Sequence, residues 1–476
     1  MIVDGWAQGN ARTTLDDLFR RAAVANPDGV ALADADRQLT YAEADRVIWA
    51  IAAQLRALGL ATDAVIGVQL SNAIESPLAL LAVLRAGMIA ALLPMLWRES
   101  EIVAALSGAG AKALVMTRRL GGADRALLAQ RVAAGLFSIR HVCAFGDHLP
   151  DGVVALDEAF HARTSTPSPI SREGNPATHA AVVTFEPTPR GIQPVVRNHI
   201  QLIAGGHAVA SAGELNSSNT LLSAMPLTSL AALAGIFVPW LFSGGRLVLH
   251  QPFDVDVFVS QAEGADVIAL PGALAPAFAP TKRTIIAHWR APERIDPQPL
   301  AGNAVDVISY GEFGLHVAKR DEHGRVAPPV LGTNYLPGHC PDRPNVLEAK
   351  RTTAGTFALR GSAVAKTGFG VTDQGAFHAS DGFIETGYHC RIGSDGSVVI
   401  TGPQPGMVST GGYRIARHDL DQVAVMTPFG IVSVLPHALL GQRLAGSSPE
   451  QSEVAGELEA RGLNALIVEA FGRRAA

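Results

Sequence analysis

Over residues 13–116, short apolar runs alternate with longer stretches whose apolar residues recur every three to four positions, and nothing else in the chain constrains its fold as strongly. Residues 13–26, 41–58, 75–86 and 99–109 carry the helical spacing, whereas 64–70, 90–94 and 113–116 are apolar runs of strand length. Strands separated by helices are joined by crossovers and lie parallel, so the pattern predicts an α/β fold. With 476 residues, 48% of them apolar and 17% charged, the chain is long and hydrophobic enough to bury a large core.

Two apolar stretches, 78–97 and 225–242, approach membrane-spanning length. Arg85 interrupts the first, and Pro226, Thr228, Ser229 and Pro239 punctuate the second, so both read as helices hidden inside the α/β body, with no membrane span. A net charge of −5 without long basic runs argues against nucleic acid as a partner and leaves small molecules or another protein. Cys143, Cys340 and Cys390 are odd in number and far apart, which suits a reducing compartment. The first residues lack a basic start followed by an apolar core, and a cytoplasmic location is the expectation. The pairs His339-Cys340 and His389-Cys390 match no zinc spacing, and ordinary thiols are the better reading.

The texture changes towards the C-terminus. Gly393, Asp395 and Gly396 mark a hairpin between 387–392 and 397–401, and Pro403, Pro405 and Gly406 make a break. A boundary is predicted there, with a large domain over 1–402 and a small α+β unit over 403–476. Residues 164–176 are a Pro- and Ser-rich connector.

The segment after that connector carries the chemistry. Residues 180–185 read as a buried strand and 195–204 as the start of a helix, which places 186–194 where a phosphate-gripping loop would lie. Such a loop aims backbone N–H groups at the anion, with glycines allowing close approach and a lysine adding charge. Here one glycine remains, lysine is absent, and three prolines each remove a donor.

The framing pieces are LTYAEADR at 39–46, LRAGMIAALLP at 84–94, PVVRNH at 194–199 and LSAMPLTSLAALAGIFVPWLFSGGRLVL at 222–249, then ISYGEFGL at 308–315, ETGYHCRIGSDGSVVITG at 385–402 and GGYRIARHDLDQV at 411–423. In order and spacing they resemble the adenylate-forming superfamily of acyl-CoA synthetases, adenylation domains and luciferases over nearly the whole chain. The resemblance implies a large multi-layer N-terminal domain with mostly parallel sheets and a small, mobile α+β C-terminal domain. It also implies ATP, magnesium and coenzyme A as cofactors and a small carboxylate or acyl compound as ligand.

Residue by residue, the resemblance is uneven. Anchored on 194–199, the family's loop lysine falls on Gln193, leaving Thr188, Arg190 and Gly191 as residual phosphate contacts. Tyr310, Gly311 and Glu312 take the place of an aromatic-Gly stretch ending in the magnesium-holding glutamate. Glu312 is thereby the candidate metal ligand and catalytic residue, and Tyr310 the adenine-stacking ring. A buried tyrosine and a solvated turn glutamate are the plainer alternative. The ribose-binding aspartate is replaced by Tyr388, whose phenol cannot accept from both hydroxyls. Hinge positions become Pro403, Gly406 and Ser409, while Arg414 persists, with bracing of the C-terminal unit as its other reading. Ser229 stands for the histidine that gates the acyl tunnel. From Asp421 onward there is no lysine to serve as the family's terminal catalytic one.

Losing one preorganised electrostatic group costs about 3 kcal/mol of transition-state stabilisation, so ATP-dependent adenylation is expected to be impaired. Three functions stay open: a diverged acyl-CoA ligase, a non-catalytic relative that binds a ligand or protein partner, and an acyl transfer that needs no ATP.

Overall fold

The computed structural model describes residues 12–120, 123–162, 170, 173–279, 283–296, 298–300, 302–341, 344–365, 381–427 and 430–472. The N-terminal stretch 1–11, most of the connector 164–176, and Arg473 and Arg474 lie outside them. Short polar side chains start the helices that the periodicity predicts. Thr14 opens Leu15–Ala25 and Thr40 opens Tyr41–Ala57, each in a capping box with the acid three residues on, Asp17 and Glu43.

Two sheets with parallel interiors form the body. The first has eight strands in the order Gly314–Lys319, Asn303–Tyr310, Thr284–Trp289, Val267–Pro271, Thr220–Ser223, Arg246–Leu249, Val30–Ala33 and Gln38–Thr40, antiparallel only at its two edges. The second has seven, in the order Gly191–Asn198, Ala180–Thr188, Ile89–Leu92, Val65–Gln69, Ala113–Thr117, His141–Phe145 and Val153–Ala155, with one antiparallel pair at its start. A five-stranded antiparallel sheet follows, ending in the hairpin Ile384–Ile392 and Val398–Ile400. The C-terminal unit is a four-stranded sheet, Tyr413–Ala416, Met407–Thr410, Gly441–Ser447 and Ile431–His437, backed by the helices Arg417–Met426, Gln451–Ala460 and Ala465–Gly472. The chain therefore has the expected large α/β domain and smaller α+β domain.

Burial explains the membrane-like stretches. The first is a helix, Glu75–Arg85, followed by a strand, Ile89–Leu92, rather than one helix. Its Arg85 is buried, bonded to Asp16 at 2.8 Å and Asp45 at 2.7 Å, with the guanidinium 4.6 Å above the Trp49 ring. The second runs helically from Leu230 to Ser243 through a π-helical turn at Leu233–Phe237, every residue of it buried. Among the described residues no helix is long and apolar enough to cross a membrane.

One local expectation is corrected. Residues 195–198 are strand, not helix, because the β-branched pair Val195 and Val196 continues the ladder. The helix His199–Ala212 begins only after Asn198, which caps it in a box with Gln201. His199, the first residue of that helix, is buried and its Nδ1 accepts from the Leu15 amide.

Candidate functional site

The segment expected to grip phosphate is a β-hairpin. Its ladder runs from Ala180 opposite Asn198 to Thr188 opposite Gly191, so Pro189 and Arg190 form a two-residue turn. Gly191 takes φ of +113°, and the Thr188 hydroxyl closes the turn by donating to the Gly191 carbonyl and accepting from the Arg190 amide. The Arg190 amide is therefore taken up by Thr188 at the turn, and Gly191–Asn198 lies at the edge of its sheet beside Ala180–Thr188. Arg190 is exposed at the tip, and Gln193 pairs with Glu186 across the ladder.

Glu186 turns inward and is 0% exposed. Its Oε1 meets Arg414 Nη1 at 2.5 Å, and its Oε2 accepts from the Glu312 amide at 2.7 Å. Burial lifts the Glu186 carboxyl above the ordinary carboxylate value, and the Arg414 guanidinium draws it back. For Arg414 burial works against the charge, but Glu186, Tyr388 and Glu312 together outweigh it and the guanidinium is held more firmly protonated than usual. Arg414 Nη1 also donates to the Tyr388 hydroxyl at 3.2 Å. Burial pushes that phenol up to about 12, so it stays neutral.

Gly311 makes this meeting possible. Its φ is +66°, and a Cβ there would lie 2.6 Å from Glu186 Oε2 and 2.8 Å from Arg414 Nη1. Neighbouring Glu312 is buried, not solvated, and its Oε2 accepts from the Leu230 amide at 2.7 Å, at the start of the helix that Ser229 caps. Its backbone carbonyl accepts from Arg197, a fully buried residue that also donates to Thr184 Oγ1 at 3.3 Å. Burial lowers Arg197 to about 10 while the nearby carboxylates of Glu312 and Glu186 oppose the shift. Tyr310 is buried with its ring 4.6 Å from that of Phe357.

The sequence candidates thus divide. Glu312, Gly311, Tyr388 and Arg414 come together around Glu186; Thr188, Arg190 and Gly191 sit at the hairpin tip. Ser229 lies apart, in a cleft of about 280 Å³ whose walls include Met225, Gly272, His288, Arg290 and Tyr413. Its hydroxyl accepts from the Ala232 amide at 3.3 Å. Arg290 lies 4.8 Å over the Tyr413 ring, and Arg294 donates to the Ala438 and Leu439 carbonyls. No Asp or Glu is among the described residues lining this cleft. Arg197, His288 and Arg290 were not singled out from sequence. A buried strand that reads IIAHWR, with two nitrogen-rich side chains two residues apart, was the available signal.

The His–Cys pairs do not meet around a metal. His339 packs on Tyr335, and among the described residues no three His, Cys, Asp or Glu side chains are grouped to hold an ion.

Comparison with known proteins agrees with this architecture. Residues 19–286 match the family model described as AMP-binding enzyme. The chain is 25% identical over 495 residues to the salicyl-AMP ligase / salicyl-S-ArCP synthetase of Mycobacterium tuberculosis, covering 95% of this chain and 85% of that protein. It is 23% identical over 498 residues to the 2,3-dihydroxybenzoate-AMP ligase of Bacillus subtilis, covering 96% and 89%. Among solved structures, MbtA of Mycobacterium smegmatis without ligand superposes with a TM-score of 0.68 at 21% identity, over 97% of this chain and 92% of that one. The amide bond synthetase McbA of Marinactinospora thermotolerans gives 0.72 at 16% identity, over 95% and 94%.

Proposed function

The chain belongs to the AMP-binding enzyme family, and from that premise we propose that it is an acyl-CoA synthetase-like protein that binds a small carboxylate but does not adenylate it, its nucleotide site having become an internal ionic lock. The observation that carries this reading is the buried Glu186–Arg414 pair. A triphosphate needs free backbone donors and uncommitted cations. In this hairpin the Arg190 amide at the turn is held by Thr188, the inward cation Arg414 is committed to Glu186, and the carboxylate of Glu186 opposes phosphate. Glu312, the candidate magnesium ligand, accepts from the Leu230 amide and has Glu186 beside it, but among the described residues no three His, Cys, Asp or Glu side chains are grouped to hold an ion. These residues do not fit magnesium triphosphate.

The cleft supports the binding half of the reading. Apolar walls with Arg290 and Arg294 and no lining carboxylate suit an anion with an apolar body. The relatives' names, salicyl-AMP ligase and 2,3-dihydroxybenzoate-AMP ligase, are those of acid-activating proteins and point to the same ligand class.

Carboxylate-dependent exchange of pyrophosphate into ATP tests the loss of adenylation. The expected result is no exchange above background across a panel of aryl and short acyl acids. Exchange with any acid, abolished by Glu312→Ala, overturns the reading in favour of an active acyl-CoA ligase.

A further inference from the structure

His288 lines the 280 Å³ cleft and is 3% exposed, yet among the described residues neither of its ring nitrogens has a hydrogen-bond partner. The contrast with His250 is direct: there Nδ1 faces Gln261 Oε1 at 2.8 Å and Nε2 accepts from the Asp254 amide at 3.0 Å. A buried imidazole with both nitrogens idle is costly to a core. The surroundings nonetheless make room for it. A Cβ on Gly235, in the π-helical turn, would lie 2.1 Å from His288 Cε1, so only glycine leaves space for the ring there. A Cβ on Gly272 would likewise strike the Trp289 ring at 2.3 Å.

His288 lies in the strand Thr284–Trp289, Arg290 directly follows it, and both line the cleft. Resting on the carboxylate-binding reading above, we infer that His288 is the specificity-determining residue of this cleft: it hydrogen-bonds a hydroxyl on the buried end of a single-ring carboxylate whose acid group faces Arg290. Several observations favour that ligand. The cavity exceeds the roughly 150 Å³ that holds a benzene ring, leaving room for a ring with substituents. Burial, with Arg290 adding to it, keeps the imidazole neutral, so it presents one N–H and one bare nitrogen. A hydroxyl both donates and accepts and satisfies whichever nitrogen faces the ligand. A second carboxylate could only accept, and an ammonium could only donate and would sit among arginines.

Calorimetric titration of the full chain with benzoate, 3-hydroxybenzoate and 4-hydroxybenzoate tests this. At least one hydroxy acid is expected to bind about tenfold or more tighter than benzoate, as in sites built around a hydroxyl. In His288→Leu that ratio is expected to fall to about twofold or less, and the variant is expected to melt no lower than wild type, because it removes an unsatisfied polar group. A merely structural histidine would instead lower the melting temperature when replaced. Should the leucine variant fail to fold, His288→Gln keeps a donor and an acceptor and is expected to retain part of the preference. Equal affinities in wild type, or a preference that survives His288→Leu, overturns the role of His288 while leaving carboxylate binding in place. Failure of all three acids to bind overturns both.

Discussion

Glu186 and Arg414, 228 positions apart in the chain, meet at 2.5 Å with both side chains withdrawn from solvent. One belongs to the hairpin of the large domain and the other to the strand Tyr413–Ala416 in the sheet of the small one, so the contact ties the two units together. Around it stand further cross-links: the Ala465 amide donates to the Leu96 carbonyl, the Ser100 hydroxyl to the Gly462 carbonyl, and Arg290 covers Tyr413.

Breaking one side of a buried pair leaves the other charge uncompensated, which costs about 3–5 kcal/mol. Glu186→Ala is expected to lose stability on that scale in denaturant melts and to expose the C-terminal unit to limited proteolysis. The double variant Glu186→Leu with Arg414→Met, which leaves no orphan charge, is expected to recover most of the loss. If both single variants melt like wild type, the pair does not hold the domains.

Gly311→Ala probes the same contact from the backbone. Its φ of +66° alone costs an L-residue about 1–2 kcal/mol, and the new methyl must also displace Glu186 or Arg414. Gly396→Ala is the matched control, with φ of +81° and nothing within 4 Å of the added carbon. The expected loss at Gly311 is the larger by about 2 kcal/mol or more. Equal losses at the two sites would mean that the ion pair yields freely.

The two-domain layout and most elements of the large domain were legible because local signals carry them. Residues 13–26 and 41–58 show the spacing that the helices Leu15–Ala25 and Tyr41–Ala57 bury. The helix after the hairpin was placed too early although Asn198 and Gln201 spell a capping box, since the apolar run 195–196 fits either period. The site was harder to read for a different reason. Glu186 read alone is a charge that repels phosphate, and Arg414 alone is a brace; only their approach across the domain boundary turns the two into a neutral pair. His288 carries only the weak signal of a histidine near the end of an apolar run, because its meaning lies in what fails to bond to it.

Buried histidines make stability depend on pH. Burial lowers His288 to about 3 and His316 to about 4, against about 6.5 for an unfolded chain. Between those values the unfolded state binds more protons than the folded one, so each residue's contribution to stability is lost as pH falls below about 6.5. At pH 5 the penalty is about 2 kcal/mol for each. Buried carboxyls such as Glu101 and Glu186 are shifted upward and act in the opposite sense, so the informative readout is the difference between chains. His288→Leu is expected to gain about 2 kcal/mol over wild type on going from pH 7.5 to 5 in urea melts. A pH-independent difference would show that the imidazole titrates normally.

Nucleotide binding can be judged without catalysis. A ligand present at 100 times its Kd stabilises the folded chain by about 2.7 kcal/mol, which for a chain of this size raises the melting temperature by roughly a degree or more. Magnesium-ATP is expected to produce no such rise even at millimolar concentration, because Arg414 is already bonded within the protein and the buried Glu186 carboxylate opposes phosphate. Glu186→Gln removes the carboxylate that opposes phosphate but leaves the ladder intact, and it too is expected to show no ATP-dependent rise. A shift confined to Glu186→Gln would locate the obstacle in the ion pair alone. A shift in wild type that scales with ATP concentration would remove the premise that the site is closed to nucleotide.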